Sequence, residues 1–479
     1  MLFNSWDFLV FFLAVYAMYV VLARPAQRVL LLGASWAFYG AWDWRFLSLL
    51  WLSTVVDFLV GRRIEDLEHA GASERVRRRW LLLSVIVNLG ILGFFKYYGF
   101  FVASAAALLK AFGLKVSLPT LKIILPVGIS FYTFQTMAYT IDVYRKKMPA
   151  VRELSLFALY VCYFPQLVAG PIERPQALIP QLREPKRVDP EMLRTALLMI
   201  FLGLVRKVGI ADVVAPVVDE IFDRPGREGS ATLAFGVMLF AIQIYGDFSG
   251  YSYIARGVSR LLGIELMQNF RHPYFSTNIT DFWRRWHISL SSWLRDYLYI
   301  TLGGNRGSRF FVYRNLMLTM LLGGLWHGAS WNFVVWGGIH GVALAAHKAW
   351  MESRGQDRKA DPGPLTLRKV PEQLGGWLLT MVVVMVAWVF FRAENFKDAW
   401  AVLSGIFAFR GDFEWTPALL TAGMSAWILV IDLPQSRTGD SAILMRWPWF
   451  LRGFIYATFT LLMLTLERAD DAAFIYFQF

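Results

Sequence analysis

Asn315 to His347 is a run of 33 residues without one Asp, Glu, Lys or Arg. It is the longest of eight clear charge-free runs. The others are Phe8–Ala23, Trp80–Phe95, Ile123–Ile141, Leu154–Ile172, Gly229–Gly246, Gln373–Phe391 and Trp415–Ile431. A helix needs about 20 mostly apolar residues to cross a hydrocarbon core of ~30 Å. Inside lipid every backbone polar group must be satisfied within the protein, which leaves helices or closed barrels. The short alternating segments of a strand barrel are absent, so the pattern predicts an all-α polytopic membrane protein.

The runs are spread from one end of the 479 residues to the other, and charged residues make up 17% of the chain, against ~25% in soluble domains. No stretch is left for a large soluble domain. A single membrane domain over 1–479 is expected, with N-terminal helices in 1–150, a core in 151–350 and C-terminal helices in 351–479. No basic segment precedes Phe8 and no small-residue cleavage site follows it, which argues against a signal peptide. Asp7 before the first run and Arg24 and Arg28 after it place the N-terminus outside and the first loop in the cytoplasm. The formal charge of +13 gathers in loops, as in Arg62–Arg79, Arg145–Lys147 and Arg354–Lys369. That is topology charge facing anionic lipid rather than a nucleic-acid surface. The single cysteine, Cys162, excludes an intrachain disulfide and a Cys-based zinc site.

Val29–Trp42 and Phe46–Val60 flank Asp43-Trp44-Arg45 and read as a tight helical hairpin, followed by a basic loop at Arg62–Arg79. Leu154–Ile172 is broken by Pro165, Gly170 and Pro171 and has basic residues on both flanks, which predicts a re-entrant segment; broken backbone at that depth must be surrounded by protein or a water-filled cavity. Glu191–Ile210 reads as a basic-tipped helix. Arg271–Arg314 holds seven Arg and two Asp among many aromatics, a mixture expected of amphipathic helices in or dipping into the cytoplasmic interface. Glu352–Glu372, with Pro362-Gly363-Pro364, is linker-like.

Six histidines remain to be weighed. His69 lies in a charged loop, and His272 before Pro273 reads as a local hydrogen-bonding residue. His340 and His347 are seven apart and share a helical stripe. At about 100° per residue they fall roughly opposite His327, and they read as polar packing. His327 sits in Gly323-Gly324-Leu325-Trp326-His327-Gly328, where glycines permit close approach or a helix break and tryptophans wall a cavity. Apolar surroundings favour the neutral imidazole, which can accept a proton from a hydroxyl. On the residues alone a packing role is as good a reading, although ionisable groups at membrane depth are functional candidates by default. His287 lies 40 residues earlier, beside Arg284, Arg285 and Trp286; the two arginines suit phosphate groups of a cytosolic donor or lipid headgroups equally. No Gly-x-Ser-x-Gly elbow, Walker A loop or HExxH motif is present, and no metal site is expected.

The segments DFWRRWHISLSSWLRDYLYITLGGNRG, LLGGLWHGASWNFVVWGGIHG, FPQLVAGPI and the closing FIYFQF resemble the membrane-bound O-acyltransferase (MBOAT) family. The likeness extends over most of the chain and is greatest to its alginate O-acetyltransferase branch. It implies about eleven transmembrane helices, with re-entrant and interfacial helices, around a central funnel or tunnel. It places the family's histidine on His327 and its second signature position on His287. It further implies an inner-membrane enzyme passing an acetyl group from cytosolic acetyl-CoA to an exopolysaccharide through a periplasmic SGNH-hydrolase-like partner, with no permanently bound cofactor. D-alanyl transfer to teichoic acid, acetylation of cellulose or peptidoglycan, and a transporter or scaffold without chemistry are the alternatives.

Overall fold

The computed structural model describes residues 1–114, 121, 123–168, 170–355, 370–466 and 475, and every regular element among them is helical. The linker around Pro362 and most of the closing FIYFQF lie outside the described residues. Among the described residues five helical stretches are long and apolar enough to cross a membrane: Arg24–His69, Glu74–Ala111, Ser230–Leu261, Val370–Arg392 and Trp415–Thr438. Their outer faces expose Val29, Leu59, Ile86, Leu379, Val382 and Leu419. Apolar surface on this scale is what lipid covers and water does not tolerate. The chain divides into two compact units, Met1–Ile200 with Ser252–Met267, and Phe201–Tyr251 with Gln268–Phe479.

In the first unit, α1 (Trp6–Val21) is capped by Ser5, whose side chain accepts from the Phe8 amide at 3.2 Å. After α2 (Arg24–Asp43) the chain turns at Asp43, whose carboxylate accepts from the Arg45 amide, and returns as α3 (Leu47–His69). Trp36 and Trp51 have ring centroids 4.9 Å apart; in one straight helix residues 15 apart would be separated by about 22 Å. The predicted hairpin is therefore present. The loop expected over Arg62–Arg79 is mostly helix. α3 runs on to His69 and α4 (Glu74–Leu92) begins soon after, because Glu, Arg and Leu extend a helix into water at little cost. A wider π turn at Gly93–Tyr97 leads into α5 (Tyr98–Ala111). The run from Ile123 becomes helical only at α6 (Ile129–Tyr144), which starts behind Gly128 at φ 74°.

A polar knot joins α3, α4 and α6. Ser84 donates to Asp57, the Asn88 side-chain amide donates to the other Asp57 oxygen at 2.7 Å, and Ser53 donates to the Asn88 carbonyl at 2.7 Å. Thr140 Oγ1 lies 3.3 Å from Asp57. Such bonds hold helices together where lipid offers no partner. The proline-broken run forms α7 (Leu154–Cys162) and the single-turn α8 (Phe164–Leu167), both buried, followed by α9 (Pro175–Arg183). Nine helical residues cover about 13 Å, well short of a bilayer.

α10 (Pro190–Leu204) ends in a π turn, Val205–Ala211, before α11 (Asp212–Asp223) and the long α12 (Ser230–Leu261). The basic tip read in Glu191–Ile210 is folded inward: Arg206 and Lys207 are buried. Arg206 pairs with Asp432 at 2.6 Å, and Lys207 with Asp212 and Asp247 at 2.7 and 2.9 Å.

Arg271–Arg314 likewise departs from a surface segment. It contains α13 (Ile279–Arg285) and α14 (Ile288–Trp293), with Phe282, Trp286 and Leu290 at most 1% exposed. Phe282, Trp286, Trp293, Tyr297 and Tyr299 lie in the core, while Arg284, Phe310 and Phe311 are exposed. α15 (Arg309–His327) and α16 (Trp331–Ser353) then pack closely. A Cβ on Gly324 would lie 2.1 Å from the Phe333 carbonyl oxygen, and one on Gly337 2.3 Å from that of Met320, so only glycine allows this approach. α17 (Val370–Arg392), α18 (Phe396–Ile406), α19 (Trp415–Thr438) and α20 (Trp449–Leu466) complete the described helices.

Candidate active site

His327 is the last residue of α15, 4% exposed, and the extended residues Gly328 and Ser330 separate it from α16. Its ring is walled by Trp326, Trp336 and Phe391, with centroids at 5.1, 4.9 and 5.4 Å. The α16 contribution is fixed at its start, where the Asn332 side-chain amide donates to the Ala393 carbonyl at 2.8 Å. That bond ties α16 to the end of the helix carrying Phe391.

His287 is fully buried between α13 and α14, at φ 42° and ψ 56°. The left-handed region costs a non-glycine residue roughly 1–2 kcal/mol, and such strain persists only where neighbours impose it. Asn269 does so: its carbonyl accepts from the Ile288 amide at 2.9 Å and its side chain from the Ser289 amide at 3.2 Å. The sharp turn directs the His287 ring edge-on to Phe248 at 4.6 Å and places it 6.3 Å from the ring of His327. At that separation one oxygen atom can hydrogen-bond to one ring while touching the other. The structure thus brings together the two histidines singled out in the sequence, in surroundings that are aromatic rather than charged.

The other expectations divide. Arg284 is exposed, and Arg285 is already paired with Asp281 at 2.9 Å. Neither is drawn to the histidine pair. His347 Nδ1 lies 2.9 Å from Thr280 Oγ1, and His340 contacts Trp283, so both face α13 as a shared stripe would. The placement of His340 opposite His327 does not hold. It assumed a continuous helix, but the chain breaks after His327, and Trp336 touches both rings, at 4.9 and 4.8 Å.

His272, also at positive φ, takes part in a buried cluster with Asp432, at 3.3 Å, to which Tyr245 donates at 2.5 Å. Sequence reasoning missed Arg206, Lys207, Asp247 and Asp432 as partners. The available signal was their position just beyond the ends of apolar stretches. Asp247 also accepts from the Ile475 amide at 2.6 Å, anchoring a residue of the closing motif. Among the described residues no group of three or more His, Cys, Asp or Glu could hold a metal ion.

An all-helical membrane protein with two buried histidine rings 6.3 Å apart among aromatic side chains has the makings of a membrane-embedded enzyme. Residues 153–354, which contain both histidines, match the model of the membrane-bound O-acyltransferase family. The chain is 44% identical to a probable alginate O-acetylase AlgI of Azotobacter vinelandii, over 87% of this chain and 79% of the relative. It is 38% identical to a probable alginate O-acetylase AlgI of Pseudomonas putida over the whole of both chains. With a peptidoglycan O-acetyltransferase of Helicobacter pylori it shares 37% over 86% and 80%. The chain belongs to the membrane-bound O-acyltransferase family. It is accordingly an O-acyltransferase.

Proposed function

We propose that this chain is an inner-membrane O-acetyltransferase that moves an acetyl group from a cytosolic thioester, acetyl-CoA, to an exopolysaccharide hydroxyl, with alginate as the polymer. The observation that carries the reading is the 6.3 Å pairing of His287 and His327 inside an aromatic wall. His327 acts as general base: it takes the proton of the acceptor hydroxyl as the oxygen bonds to the acyl carbon, then returns it to the departing sulfur. Such assistance is worth about 10²–10⁴ in rate. His287 holds the donor or the acceptor oxygen against His327. Arg284 and Arg285 are the cationic side chains nearest in sequence that could meet donor phosphates, Arg285 after releasing Asp281.

The same reading carries about eleven crossings around a funnel open to both faces and an N-terminus in the periplasm. The acetyl group reaches the polymer through a periplasmic SGNH-hydrolase-like partner. The relatives named for alginate favour that acceptor, and the relative named for peptidoglycan makes that polymer the second reading.

The test is a cell lacking its own polymer acetylation, supplied with the partner and either the wild-type chain or His327→Ala at equal membrane levels. Ester-linked acetate should appear on alginate with the wild type and be absent with the variant. Acetate on peptidoglycan instead would select the second reading, and acetylation by His327→Ala would remove the assignment.

A further inference from the structure

His340 has no part in the reaction above, yet it is surrounded unlike a packing histidine. Its fully buried ring lies parallel to Phe282 and edge-on to Trp283 and Trp336, at 5.0 and 4.8 Å. Trp283 Nε1 donates to His340 Nδ1 at 3.3 Å. An indole nitrogen donates and never accepts. Nδ1 is therefore the acceptor, and the neutral ring carries its proton on Nε2. Among the described residues that Nε2–H meets no acceptor, and neither does Nε1–H of Trp336. Native structures seldom leave one buried N–H unanswered. Here two occur on touching rings, and one of those rings is 4.9 Å from that of His327.

We propose that His340 Nε2–H and Trp336 Nε1–H form a carbonyl-binding site for the acyl donor, filled when the donor enters; this rests on the acyl-transfer reading of His327. The ligand follows from the chemistry of the walls. Two donors in an uncharged aromatic setting suit an uncharged oxygen that accepts and has no proton of its own to place. A hydroxyl would need an acceptor, and a carboxylate would need a cation.

In acetyl-CoA two kinds of carbonyl qualify, that of the thioester and those of the amides in its arm. If it is the reacting one, the acceptor oxygen bonds to the carbonyl carbon while His327 takes its proton. The carbonyl oxygen gains negative charge against the two N–H groups. The C=O then re-forms, the C–S bond breaks, and the sulfur leaves with the proton that His327 returns. If it is an amide carbonyl of the donor's arm, the same N–H groups fix the donor without taking up charge. Trp283 is a positioning residue in either case, because its N–H keeps the proton of His340 on Nε2.

The test uses the full chain in vesicles with the periplasmic partner present, acetyl-CoA as donor and a soluble mannuronate oligosaccharide as acceptor. His340→Phe keeps the stacked ring and removes both nitrogens, whereas His340→Gln keeps an N–H. The Phe variant should lose at least about tenfold in kcat/KM, and the Gln variant should recover part of that. A loss in kcat identifies the reacting carbonyl, and a rise in KM the amide carbonyl. Trp283→Phe should cost severalfold when His340 is present and nothing further in the His340→Phe background. Equal activity of the Phe and Gln variants, or the same Trp283→Phe loss in both backgrounds, would reduce His340 to packing. With His327→Ala inactive, such a result rejects the carbonyl site and leaves acyl transfer standing; an active His327→Ala rejects both.

Discussion

At φ 42° the backbone of His287 does what glycine does without cost, and asparagine tolerates the same region better than other residues do. His287→Asn should therefore melt close to the wild type while losing acyl transfer. His287→Val should lose thermal stability as well, by an amount matching roughly 1–2 kcal/mol of added strain. Equal melting of the two variants would show that Asn269 does not impose the turn. A second residue gives a pH dependence. Glu173 is buried, and burial pushes its carboxyl from 4.5 up to about 7, against the opposing pull of the Met267 amide, Arg256 and Arg174. The folded protein then holds this proton to a higher pH than the unfolded chain does, so stability from this group falls as pH rises between 4.5 and about 7. Glu173→Gln removes that titration. Thermal melts should show the variant gaining on the wild type at pH 8 relative to pH 5, and parallel melts at both would contradict it.

Among the elements, the α15–α16 pair sets the position of His327, and its closeness depends on particular glycines. Gly337→Ala would push a methyl group to within 2.3 Å of the Met320 carbonyl oxygen, whereas at the next residue Gly338→Ala meets a Leu321 methyl at an ordinary 3.7 Å. The first substitution should lower both melting temperature and activity, and the second should leave both intact; fluorescence-detected gel filtration on heating compares them. The glycine-rich text around Trp326-His327 and Trp336 made such an approach legible in the sequence. So did the hairpin at Asp43, because apolar runs and the charges between them are local signals. Proline and glycine also marked where Leu154–Ile172 would break. The misplaced elements share one cause. Glu and Arg continue α3 and α4 beyond the apolar stretch as readily as they end it, and the aromatics of α13 and α14 pack equally well against protein or a lipid interface.

Across the whole chain, the unread features are those that join distant residues. Arg206 meets Asp432 and Asp247 meets Ile475 across more than 200 positions, and nothing in a local pattern pairs them. The position of His340 was out of reach for a similar reason: the angular argument held only while His327 and His340 shared one helix. The histidine pair itself was legible from family-like text on either side of Trp286-His287 and Trp326-His327, and the fold supplies the distance that sequence could not. The central claim is that the His327 ring carries out proton transfer for an acyl group taken from a thioester. Purified chain in vesicles together with its periplasmic partner, given acetyl-CoA labelled in the acetyl group and an acceptor oligosaccharide, measures this directly. Label should pass to ester linkage with the wild type and fall by at least about 10² with His327→Ala; transfer by the variant at the wild-type rate would contradict the account.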